Sequence, residues 1–185
     1  MATVAQKLIT AEEFAQMPDP PDGSKQELVR GVITTMPPPG FDHGLCQGRV
    51  YGLLDNYARS KRLGRVTVET GLVTERDPDS VRGPDVAYWS FERLPAEQRP
   101  QGYPEVAADL CVEVLSPKKR LRQVREKTRE YFARGVSMVW VVDPEDHTVM
   151  VYRSPDEGRL LHETATLAGE DVLPGFSCRV AELFM

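Results

Sequence analysis

Apolar and polar positions fall into two rhythms in the middle of this chain. Residues 110–115, Leu-Cys-Val-Glu-Val-Leu, and 138–142, Met-Val-Trp-Val-Val, are nearly unbroken apolar runs, as expected of central strands covered on both faces. Between them, residues 120–134 follow a helical period. At 100° per residue Val124, Lys127 and Tyr131 fall within about 60° of one another, which puts Lys127 at the edge of the inward face and turns Arg122, Glu126 and Arg129 away. Strand, helix, strand at this spacing implies a right-handed crossover and a parallel pair at the sheet centre.

The flanking segments complete an α/β pattern. Thr10-Ala-Glu-Glu13 is a capping box opening a short helix anchored by Phe14 and Met17 and stopped by Pro18. Residues 27–34 read as a strand or bent hairpin with Gly31 at the bend, ended by Pro37-Pro38-Pro39-Gly40. Over residues 42–63, Cys46, Val50, Leu53 and Tyr57 recur at helical spacing, with His43 in phase and Gly64 closing the helix. Residues 66–73 and 81–89 read as two strands joined by a turn, and 148–153 with 159–163 as a terminal hairpin.

Length and composition narrow the class. At 185 residues, 41% hydrophobic and 28% charged, the chain fits one globular domain spanning 1–185. Its first ten residues hold one Lys and no apolar core, and no stretch approaches the ~18 apolar residues of a membrane span, so secretion and membrane insertion are not expected. Cys46, Cys111 and Cys178 are odd in number, far apart and set in apolar patterns, which suits reduced thiols and a cytoplasmic location. Net charge is −5, yet residues 118–134 carry eight basic residues against Glu126 and Glu130. One basic helix-sized patch therefore sits on an acidic body. It is either a solvated helix face or a phosphate-binding surface, with Lys118, Lys119, Arg120 and Arg122 as the candidate nucleic-acid contacts.

Glu113 organises the chemistry. A carboxylate inside an apolar strand is costly unless it is paired, protonated or coordinating a cation. Asp85 follows Gly83-Pro84 and precedes the apolar Val86-Ala-Tyr-Trp89, so both acids can converge where two strands lie side by side. Hard oxygen ligands of this kind suit Mg²⁺ or Mn²⁺. An inward Lys127 near two acids is either a buried ion pair or a lysine that orients a metal-bound water and stabilises transition-state charge. The two roles differ in consequence: a purely catalytic Lys127 is dispensable for folding, whereas an ion-pairing one is not.

Arg82-Gly-Pro-Asp85, Asp109-Leu-Cys-Val-Glu-Val-Leu-Ser-Pro117, Lys127-Thr-Arg-Glu-Tyr131, Gly135-Val136 and Trp140-Val-Val-Asp-Pro144 together resemble the Uma-two family of restriction-endonuclease-like proteins, within the PD-(D/E)XK nuclease superfamily. The similarity runs from Glu27-Leu-Val-Arg-Gly31 and His43 to Gly175-Phe176. It implies a mixed central sheet flanked by helices, with an N-terminal strand and helix extension and a C-terminal hairpin. It also implies a Mg²⁺-dependent endonuclease acting on DNA, with Asp85, Glu113 and the carbonyl of Val114 as metal ligands and Lys127 as catalytic lysine. Two positions depart from the pattern. Leu115 stands where a Glu-x-Lys motif has lysine, which the resemblance reads as moved to Lys127, and Gln123 stands where the related pattern has Asp.

Glu27, His43 and Ser116 are accessory candidates: a further acid against an exposed strand-end Glu, a phosphate contact against a capping or core histidine, a hydroxyl near the metal against a plain turn. The chain has no Gly-x-x-x-x-Gly-Lys-Ser/Thr loop, no Gly-x-Ser-x-Gly elbow and no Cys-x-x-Cys pair. Two readings therefore compete, a DNA-cleaving enzyme and a catalytically silent nucleic-acid-binding or interaction protein that keeps the fold. Cutting two strands needs two sites, which makes a homodimer an expectation of the first.

Overall fold

The structure, a computed structural model, describes residues 7–116 and 121–185. The chain runs α1 (Ala11–Ala15), β1 (Lys25–Val29), β2 (Val32–Met36), α2 (Phe41–Lys61), β3 (Gly64–Val68), β4 (Leu72–Glu75), β5 (Ser80–Arg82) and β6 (Val86–Ser90). It continues with β7 (Leu110–Val114), α3 (Leu121–Arg134), β8 (Met138–Asp143), β9 (Thr148–Tyr152), β10 (Gly158–His162), β11 (Thr166–Ala168), β12 (Ser177–Arg179) and a 3₁₀ turn (Val180–Leu183). Six strands form the main sheet in the order β10-β9-β8-β7-β6-β3, and a smaller sheet has the order β2-β1-β5-β4. At the centre β7 and β8 are parallel, bridged by α3, and their neighbours pair antiparallel.

Strand parity divides the core. Leu110, Val112 and Val114 of β7 face α2, whose buried stripe is Cys46, Val50, Leu54 and Ala58. The alternate residue Cys111 packs with Val139, Val141, Val124 and Tyr131 on the α3 side. Glu113 shares that parity, so the sheet presents its carboxylate to α3.

Local signals are realised at α1. Thr10 Oγ1 accepts from the Glu13 amide at 3.1 Å and the Glu13 carboxylate accepts from the Thr10 amide at 3.1 Å. Phe14 is buried below this turn, but Met17, expected as an anchor, is 42% exposed because the helix has ended before it. The buried stripe of α2 passes through Leu54 and Ala58, with Leu53 and Tyr57 at its margin. Arg62, in the left-handed conformation with φ 55°, closes α2 in place of the expected Gly64. Gly64 instead starts β3, where an added Cβ would lie 2.1 Å from the Trp89 carbonyl oxygen, so glycine is required for close strand approach.

The two long strands expected at 66–73 and 81–89 are each divided. β3 lies in the six-stranded sheet and β4 in the four-stranded one; β5 and β6 are divided in the same way by Gly83-Pro84-Asp85. Pro84 has no N–H for a ladder, and the chain changes sheets there. This bend places Asp85 immediately before β6.

Candidate metal and catalytic site

Val86 of β6 pairs with Val112 of β7, and this antiparallel register carries Asp85, one residue earlier, to the position opposite Glu113. Asp85 is fixed on two sides: its Oδ2 accepts from the Val114 amide at 2.7 Å, and its backbone carbonyl accepts from Gln47 Nε2 at 2.9 Å. Its Oδ1 lies 3.2 Å from Lys25 Nζ and 3.6 Å from His43 Nε2. Glu113 is 0% exposed, and its Oε1 accepts from the Tyr131 hydroxyl at 2.6 Å.

Lys127 completes the constellation from α3. Its ammonium donates to Glu113 at 3.2 and 3.3 Å and to Glu27 Oε1 at 2.6 Å, and the residue is 5% exposed. Burial by itself would lower the lysine pKa. The charges of Glu113 and Glu27 outweigh that effect and hold it above its ordinary value. Burial, then the Glu113 charge, pushes both the Tyr131 phenol and the Cys111 thiol well up, so each is a neutral neighbour.

For Glu27 the structure removes one of the two alternatives. It is 2% exposed at the middle of β1, not a solvated strand end. Its Oε1 also accepts from the Gly83 amide at 3.1 Å, and its Oε2 from Arg82 at 3.1 Å. Arg82 in turn forms a two-pronged contact with Glu130 at 2.7 and 2.6 Å, and Thr74 Oγ1 donates to the same carboxylate at 3.1 Å. Glu27, Lys127 and Glu113 thus form an acid–base–acid triad buttressed by Arg82 and Glu130. The sequence signal for Glu130 is its spacing, since three residues after Lys127 it lies on the same side of α3.

The Uma2 family model, described as "Putative restriction endonuclease", matches residues 11–181. This chain belongs to the Uma2 family. A solved structure described as "a putative nuclease belonging to DUF820 from Anabaena variabilis ATCC 29413" is 24% identical, with a TM-score of 0.81 over 95% of this chain and 97% of that one. The Uma2 chain shares that fold over 95% of its length. No curated protein matches it.

The remaining expected site residues of this Uma2 chain divide. Leu115, two residues after Glu113, packs with the α3-side core where a Glu-x-Lys lysine would stand. His43 reaches Asp85 from the first turn of α2, and its buried Nδ1 has no hydrogen-bond partner among the described atoms, unlike a satisfied core histidine. Ser116 lies half-buried two residues past β7. Gln123 is on the exposed side of α3, as is Arg122, which pairs with Glu126 at 3.1 Å. Lys118, Lys119 and Arg120 lie outside the described residues. Lys127 points inward and leaves the basic patch. Among the described residues no three His, Cys, Asp or Glu side chains gather as a metal cluster, and no helix is long and apolar enough to cross a membrane.

Proposed function

We propose that this Uma2 chain is a Mg²⁺-dependent endonuclease that hydrolyses phosphodiester bonds of DNA, with Mn²⁺ as an alternative ion. The observation that carries the reading is the meeting of Asp85 and Glu113 across β6 and β7 with an ammonium delivered from α3 to the side of the sheet where Leu115 replaces a motif lysine. The donor set suits a hard cation: two facing carboxylates, with Val114, whose amide holds Asp85, next to Glu113 in the strand and its carbonyl as the proposed third ligand, and two lysines, Lys25 and Lys127, already drawn to those carboxylates. A divalent ion held there would supply a water of lowered pKa and brace the scissile phosphate. Lys127 supplies positive charge where the transition state gathers negative charge, and Glu27 with Tyr131 fixes the lysine and Glu113 in place.

The exposed side of α3, with Arg122 and Arg125, is the surface proposed to meet DNA phosphates. A homodimer would provide the two sites that duplex cleavage needs. The three buried free thiols fit the reducing cytoplasm as its compartment.

The test is cleavage of supercoiled plasmid by the purified chain with Mg²⁺, Mn²⁺ or EDTA. Cleavage should require the metal, vanish in Asp85→Asn and Glu113→Gln, and fall ~10²–10³-fold in Lys127→Met, assayed well below that variant's melting temperature. Cleavage that survives Glu113→Gln or EDTA would sink the proposal. DNA binding without cleavage under every metal condition would establish the silent binding protein instead.

A further inference from the structure

Lys25 stands between Asp85 and a groove on the surface beside it. It opens β1 with an 18% exposed side chain, and its Nζ lies 3.2 Å from Asp85 Oδ1, the oxygen not engaged by the Val114 amide. Lys25 passes close to Gly83 on the way, since a Cβ there would lie 3.2 Å from Lys25 Cε. Lys25 and Gly83 also line a groove of about 510 Å³ whose other walls include Ser24, Gln26, Phe14 and Tyr103. The ammonium therefore sits on Asp85 with open space beside it.

We propose that Lys25 holds the cation position at Asp85 in the metal-free protein and, when a divalent ion enters, is displaced into this groove to bind a backbone phosphate of the nucleic acid. The inference rests on the reading of Asp85 as a metal ligand. A lysine ammonium and a divalent cation cannot share one carboxylate oxygen without like-charge repulsion, so the bond seen here and the metal are alternatives. Once displaced, Lys25 is a compact charge with three donors on a flexible stem, suited to a phosphate oxygen. Asp19 and Glu69 line the same groove and are the competing destinations. Metal and nucleic acid then bind cooperatively, since the ion frees the group that the phosphate uses, and such couplings are typically about 5–150-fold.

The experiment measures Mn²⁺ alone by calorimetry, then a short fluorescent DNA duplex by anisotropy in Ca²⁺ and in EDTA, on the whole chain. Lys25→Gln should bind Mn²⁺ about tenfold more tightly than wild type, bind the duplex about tenfold more weakly in Ca²⁺, and match wild type in EDTA. Lys25→Arg, which keeps the cation, should stay near wild type in all three. Lys25→Met serves as a second neutral variant if Lys25→Gln folds poorly. Unchanged or weaker Mn²⁺ binding in the neutral variants, while Asp85→Asn abolishes binding in the wild-type background, would overturn the role of Lys25 and leave the metal reading standing. No Mn²⁺ binding in wild type or in either neutral variant would end both. Tighter Mn²⁺ binding with unchanged duplex affinity would place the displaced lysine on Asp19 or Glu69 and overturn the phosphate contact.

Discussion

Replacing Lys127 with methionine removes one charge from the centre of a buried triad while nearly conserving volume. Breaking a buried pair by deleting one partner costs about 3–5 kcal/mol, because the remaining charge stays desolvated. Here both acids keep other donors: Glu27 retains Arg82 and the Gly83 amide, and Glu113 retains the Tyr131 hydroxyl. The loss should therefore lie near the lower end, about 3 kcal/mol. For a domain of this size that lowers the melting temperature by roughly 6–12 °C. The assay is thermal unfolding by circular dichroism in EDTA, repeated on Glu27→Gln and on the double variant. The double variant should lose less than the sum of the single losses, since Lys127 and Glu27 are in direct contact at 2.6 Å. A Lys127→Met protein melting within 2 °C of wild type, or strictly additive losses, would refute the triad as an energetic unit. A lysine so placed is structural whatever its part in the proposed chemistry, which revises the expectation that a catalytic Lys127 is dispensable for folding.

Three further outcomes follow from other contacts. The Lys127 pKa is raised in the folded protein, which therefore holds that proton more tightly than the unfolded chain; its stabilisation is full below about pH 10 and drains as pH rises toward the folded value. Alkaline melting curves should accordingly show a fall in wild type that is smaller in Lys127→Met. Cys46 and Cys178 are pushed up to about 12 by burial, then by the nearby acids Asp85 and Glu182 respectively, so a thiol reagent at pH 8 should find no fast-reacting cysteine until denaturant exposes all three; a rapid native phase would contradict this. Gly64→Ala should cost about 1–3 kcal/mol by forcing β3 away from the Trp89 carbonyl, read as a lower urea midpoint, and an unchanged midpoint would show that the strand pair yields freely.

The sequence made Glu113 visible because one carboxylate in an apolar run has few inexpensive explanations, and it made Lys127 visible through helical phase. Both signals are local and periodic. Glu27 was not legible in this way: strand parity gives a face but not what covers that face, and the covering element, α3, is a hundred residues away in the chain. Arg82 and Lys25 were hidden for the same reason, as polar residues at strand ends whose partners come from other elements. The division of the apolar segments at 66–73 and 81–89 between two sheets was equally obscure, because a continuous β pattern does not record a change of sheet. The central β7-α3-β8 unit was legible because its two strands are buried on both faces and its crossover allows one hand.

The most direct measurement is anomalous diffraction from a crystal of the wild-type chain equilibrated with Mn²⁺. We expect one strong peak between the carboxylates of Asp85 and Glu113, within about 2.0–2.3 Å of an oxygen from each and near the Val114 carbonyl, with the peak absent from a Glu113→Gln crystal treated identically. A saturated crystal with no density there, or with its Mn²⁺ bound elsewhere, would contradict the assignment of these two acids as a metal site.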